Sequence, residues 1–135
     1  PLASDIDELI AAELAAAKDV QDVLDRARVV GAEQSFLIGV RILSGVVNAS
    51  QAGGAYALLA ERLIAALQGV VTAELVRASG RVPGGAACVI AMGKLGGREM
   101  TAASDLDLIV VYDFTETTGQ SVGARPLAPT QYSPA

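Results

Sequence analysis

Ala91-Met-Gly-Lys-Leu-Gly-Gly-Arg-Glu-Met-Thr-Ala-Ala-Ser-Asp-Leu-Asp-Leu-Ile-Val-Val-Tyr-Asp113 sets a glycine pair one short polar segment ahead of an Asp-x-Asp that opens a run of branched apolar residues. A second strand-like run, Cys88-Val-Ile-Ala-Met92, leads into it. Side chains alternate along a strand, so on a strand from about Asp105 to Tyr112 the carboxylates of Asp105 and Asp107 share one side while Leu106 and Leu108 take the other. Two carboxylates held together repel unless a divalent cation sits between them. Mg2+ suits such a pair because it is hard, keeps several waters, and is usually held by one or two carboxylates together with substrate phosphates. Gly96-Gly97 removes two Cβ atoms from the path of a phosphate chain, and successive main-chain N–H groups can form an anion-binding nest there. Lys94 and Arg98 flank it with positive charge. Each part also has a plain structural reading: acidic pairs close strands as solvated turn residues, glycine pairs punctuate loops, and Lys94 can be an ordinary surface lysine. The ordered combination of strand, glycines, polar segment and acidic strand start carries the reading.

In that order the features form the layout of a nucleotidyl-transfer site. Gly96-Gly97 followed by Asp105-x-Asp107 resembles the polymerase-beta-type nucleotidyltransferase superfamily. The fuller string from Gly93 to Leu108 resembles the glutamine synthetase adenylyltransferase family. The likeness extends upstream through Phe36-Leu-Ile-Gly-Val-Arg-Ile-Leu-Ser-Gly45 and Gly80-Arg-Val-Pro-Gly-Gly85. Downstream it reaches Gly123-Ala-Arg-Pro-Leu127 and Gln131-Tyr132, so it covers most of the chain. The resemblance implies that Asp105 and Asp107 are catalytic and bind Mg2+. It implies that Gly96 and Gly97 meet the triphosphate of ATP through backbone N–H groups, with Ser104 and Lys94 beside them. The reaction it implies is attack of a glutamine synthetase tyrosine hydroxyl on the α-phosphorus, or removal of the adenylyl group in the opposite half of the enzyme. The wording here is closer to the adding half. A nitrogen-signalling regulatory protein is a further implied partner. The superfamily adds a third carboxylate from a later strand; Asp113 and Glu116 are poor substitutes, since Asp113 lies about 26 Å beyond Asp105 along an extended strand. The chain is therefore expected to be inactive alone. Another nucleotidyltransferase of the superfamily, such as a uridylyltransferase or a small antitoxin-type enzyme, and a non-catalytic helical interaction module are the alternatives.

Composition narrows the partners. The net charge is −5, which leaves no basic stripe for nucleic acid. Cys88 lies inside an apolar run and reads as a small core residue rather than a nucleophile. With one cysteine and no histidine there is no disulfide framework, triad or zinc site to assemble. The start has no basic segment followed by an apolar core, and no uninterrupted apolar run is long enough to span a bilayer, so no membrane partner and a cytoplasmic location are expected. The absence of an initiator Met and the early end after the acidic strand suggest a fragment.

The fold class expected is α+β: three to four helices over residues 1–82, then the start of a small mixed sheet of a nucleotidyltransferase domain over 83–135. Leu9, Ile10, Leu14 and Leu24 recur near helical spacing, as do Leu58, Leu59, Leu63, Ile64 and Leu67. Expected boundaries are Ser4 as an N-cap, a break near Val30-Gly31, another at Gly45 to Asn48, and Ser50 as the cap of a long helix ending at Gly80. Gly53-Gly54 is a poor interior for that helix and would delay its start. Ser4-Asp5-Ile6-Asp7 repeats the Ser-Asp-apolar-Asp pattern but lacks the glycines and precedes a helical run, so it reads as a helix start. Asn48-Ala49-Ser50 matches a glycosylation acceptor and reads as a helix start too. After Pro83-Gly84-Gly85, strands are expected at Ala87 to Met92 and about Asp105 to Tyr112, with a short helical turn near Arg98.

Overall fold

The computed structural model describes residues 3–113, 120–123 and 125–126, so Glu116, Gln131 and Tyr132 lie outside the described residues. Its elements in order are α1 (Ala3–Ala15), α2 (Val20–Leu43), α3 (Ala49–Ser79), β1 (Ala86–Ala91), α4 (Gly93–Gly96) and β2 (Leu108–Asp113). The fold is α+β, with four helices and a two-stranded antiparallel sheet among the described residues.

The helix boundaries follow local hydrogen-bond chemistry, and several differ from expectation. Ser4 lies inside the first turn of α1 and donates its hydroxyl to Asp5 Oδ1 at 3.4 Å, so it is not the cap. The first break comes at Asp19, which is extended and whose side chain accepts the N–H of Asp22 at 2.8 Å to start α2. No break occurs at Val30-Gly31. Gly31 sits where α2 crosses α3, and a Cβ there would come within 3.2 Å of Leu63 Cδ1, so the glycine permits close packing instead of ending the helix. Helix α2 ends at the expected place, with Gly45 at φ 71°. The cap of α3 is Asn48, not Ser50. Asn48 Oδ1 accepts the Gln51 N–H at 2.9 Å and Gln51 Oε1 accepts the Asn48 N–H at 3.0 Å, which completes a capping box. Gly53 does not delay this helix, and α3 runs on to Gly80 at φ 80° as expected. Ser121 then donates to the Ser79 carbonyl at 2.6 Å, and Val122 bridges Arg81 beside the helix end.

One apolar core joins these pieces. Ile6 and Ile10 of α1, Val30 and Ile38 of α2, and Ala52, Tyr56, Ala57 and Leu59 of α3 pack with Leu95 and Met100, which follow β1. Burying each large aliphatic side chain contributes about 1.5–3 kcal/mol, so the glycine segment is anchored by the same apolar effect that holds the helices. By length and a mean hydropathy of 1.3 over its most apolar stretch, α3 is long and apolar enough to cross a membrane, although that stretch is not uninterrupted. Only a small part of that stretch is buried. Glu61 and Arg62 interrupt it, and they pair with Arg98 and Asp7.

The sheet register runs from Ala86↔Asp113 to Ala91↔Leu108, and Met92 extends it by donating to the Asp107 carbonyl at 2.8 Å. Every residue of β2 is exposed. Cys88 is exposed as well, because among the described residues nothing covers its face of the sheet. It is therefore not the core residue that its apolar neighbours suggested.

Candidate functional site

The site is built where β1 ends and β2 begins. Both carboxylates precede the strand: Asp105, Leu106 and Asp107 form an irregular exposed lead-in to β2, which starts only at Leu108. Antiparallel pairing through Met92 places Asp107 beside the first residue of α4. There Gly93 adopts φ 51°, and an added Cβ would lie 3.3 Å from Asp107 Cγ and overlap Oδ2. A Cβ there would require the exposed Asp107 side chain to swing aside, and the positive φ by itself favours glycine.

The turn itself is closed. Gly96 N–H donates to the Met92 carbonyl and Gly97 N–H to the Gly93 carbonyl, each at 2.9 Å. The backbone amides of the glycine pair are therefore engaged inside the turn instead of forming an open nest. Gly96 packs so closely on the end of β1 that a Cβ would approach the Ala91 carbonyl oxygen to 2.7 Å. The amides without an intrahelical acceptor are those of the first turn, Gly93, Lys94 and Leu95, and Met92 provides no side-chain cap for them.

The end of α4 is a Schellman motif. Arg98 N–H donates to Leu95 O at 3.2 Å and Glu99 N–H to Lys94 O at 2.9 Å, the paired bonds of that cap. Arg98 occupies its left-handed position at φ 57°, where glycine is usual and an L side chain costs about 1–2 kcal/mol. Its guanidinium reaches Glu61 Oε2 on α3 at 2.6 Å. Its carbonyl lies against Gly53, where a Cβ would meet it at 3.1 Å. The short helical turn expected near Arg98 thus lies upstream, and Arg98 closes it.

The remaining residues divide by role. Ser104 Oγ accepts the Thr101 N–H at 2.9 Å and lies 3.1 Å from Thr101 Oγ1, which shapes the loop that delivers Asp105. Ser104 and Leu106 line a cleft of about 370 Å³ shared with Leu24, Tyr56, Leu63 and Met100. Lys94 is exposed and makes no ion pair among the described residues. Among those residues no group of three or more acidic, cysteine or histidine side chains is gathered for a metal. The structure therefore brings Asp107, Gly93 and the first turn of α4 together. It turns Arg98 to α3, away from the role of a free flanking cation. Sequence reasoning missed Gly93; its signal was a glycine directly after the strand-like run, ahead of the more conspicuous pair.

Among the described residues a helical layer and a two-stranded antiparallel sheet, with two acids in the lead-in to β2 beside a glycine turn, make up an α+β arrangement. A family model described as Glutamate-ammonia ligase adenylyltransferase matches residues 2–133, and the chain belongs to that family. It is 46% identical over 132 residues to a protein of Brucella suis biovar 1 (strain 1330) named bifunctional glutamine synthetase adenylyltransferase/adenylyl-removing enzyme; the match covers 98% of this chain and 13% of that protein. Relatives with the same name are 46% identical over 123 residues in Rhizobium meliloti (strain 1021), covering 91% of this chain and 12% of the relative. In Xanthobacter autotrophicus (strain ATCC BAA-1158 / Py2) identity is 56% over 113 residues, covering 83% and 11%. The chain thus spans about an eighth of the length of these relatives. No solved structure matches it.

Proposed function

We propose that the chain carries part of the ATP site of an adenylyltransferase that moves AMP onto, or off, a tyrosine of glutamine synthetase. The reading rests on the family and on the relatives' shared name. The observation that carries it to particular residues is the Asp107 carboxylate lying over Gly93 at the start of α4. There a carboxylate meets amides that have no intrahelical acceptor, and a metal-bound phosphate chain satisfies both.

Asp105 and Asp107 are exposed oxygen donors of the kind Mg2+ takes alongside phosphates, so they would hold that ion, which would neutralise charge on the phosphate oxygens. The amides of Gly93, Lys94 and Leu95 donate to phosphate oxygens, and the side chain of Lys94 adds a positive charge beside them. Gly96 and Gly97 act by letting the turn fold tightly onto β1. Ser104 acts by shaping the loop ahead of Asp105. The reaction that this serves is attack by the tyrosine hydroxyl on the α-phosphorus of ATP with loss of pyrophosphate.

Calorimetric titration of the chain with Mg-ATP is expected to give measurable binding, weakened at least tenfold in Asp105→Asn and in Asp107→Asn, about 1.4 kcal/mol or more each. UTP is expected to bind less tightly than ATP. Equal affinity in the parent chain and both variants would sink the assignment of the carboxylates.

A further inference from the structure

A left-handed residue at the end of a Schellman motif is ordinarily glycine, because any Cβ is strained there. Arg98 is the one non-glycine residue with positive φ among the described residues, and it stands at that position of the turn that faces Asp107. Something must hold it there. Gly53, Ala57 and Glu61 recur every four residues along one face of α3. Gly53 lets the Arg98 carbonyl approach, Ala57 is buried, and Glu61 receives the Arg98 guanidinium at 2.6 Å from 37 residues away in sequence. Gln68, further along α3, donates to the Ala87 carbonyl of β1 at 3.3 Å, so α3 is tied both to the turn and to the strand before it.

We infer that Glu61 is a positioning residue for the nucleotide site: through Arg98 it holds the α4 turn in register with Asp107. The pair is half-exposed, with side-chain exposures of 56% for Arg98 and 48% for Glu61, so its contribution to global stability is small. Its effect is local. Arginine serves this position where glycine would relax, because only a long cation spans from the turn to α3. The inference rests on the reading of this turn as a nucleotide site.

Two measurements on the chain separate the brace from that reading. Amide hydrogen exchange at Gly97, Arg98 and Glu99 is expected to rise about tenfold in Glu61→Gln, with amides in the core part of α3 unchanged. Adding Arg98→Gly to Glu61→Gln removes the strain and is expected to return the exchange toward the parent rate. Mg-ATP affinity is expected to fall several-fold in Glu61→Gln. Unchanged exchange in Glu61→Gln overturns the brace, and Mg-ATP binding by the parent then leaves the nucleotide reading standing. Raised exchange with unchanged Mg-ATP affinity overturns the positioning role. Raised exchange in Glu61→Gln together with no Mg-ATP binding by the parent chain supports the brace and overturns the nucleotide reading.

Discussion

At Gly93 a φ of 51° favours glycine, and an added Cβ would have to displace the Asp107 carboxylate. Gly93→Ala is therefore expected to cost about 1–2 kcal/mol in urea unfolding, from left-handed strain together with displacement of Asp107. It should also weaken Mg-ATP binding in the same titration that tests the acids. An alanine variant as stable as the parent would mean that the turn relaxes freely. The sequence displayed the acids and the glycine pair openly, since both form short motifs. It did not display that Gly93, rather than Gly96 or Gly97, meets a carboxylate, because that contact depends on antiparallel pairing across a loop. Nor did it display the left-handed Arg98, whose geometry is held by a partner on a distant helix.

The elements show where local chemistry is a sufficient guide. Asn48 and Gln51 form a reciprocal cap, so Asn48→Ala is expected to lower stability by about 1 kcal/mol in chemical denaturation, whereas Ser50→Ala should have almost no effect. The start of α2 should respond to acid. The Lys18 N–H, helped by Arg26 and opposed by partial desolvation, holds the Asp22 carboxyl below its ordinary value of 3.8. A depressed folded value means that the stabilisation is present above pH 3.8 and is lost as pH falls through the lowered value. Thermal melts over roughly pH 2 to 5 should accordingly show a shallower acid-side decline in Asp22→Asn than in the parent chain. The cap at Gly80 and the break at Gly45 were legible because glycine alone adopts their conformation cheaply. Gly31 misled for the same reason: a glycine that permits helix crossing and one that ends a helix look identical until the neighbouring helix is in place.

Over the whole molecule, the same core holds the helices and the turn that carries the site, through Leu95 and Met100. Leu95→Ala is expected to cost about 2–4 kcal/mol in urea unfolding with an unchanged denaturant slope, and to loosen the turn along with the fold. A loss confined to nucleotide binding, with stability intact, would mean that Leu95 is not part of the cooperative core. The α+β class and the two-strand signal followed from residue spacing and type, because periodicity and short motifs are local properties carried by consecutive residues; that both acids precede β2 rather than share a face of it did not. The uninterrupted α2, the exposure of Cys88, the engaged amides of Gly96 and Gly97, and the tether from Arg98 to Glu61 arose only on folding. Each depends on which surfaces meet across long stretches of chain, and burial, close approach and ion pairing exist only once those surfaces are brought together.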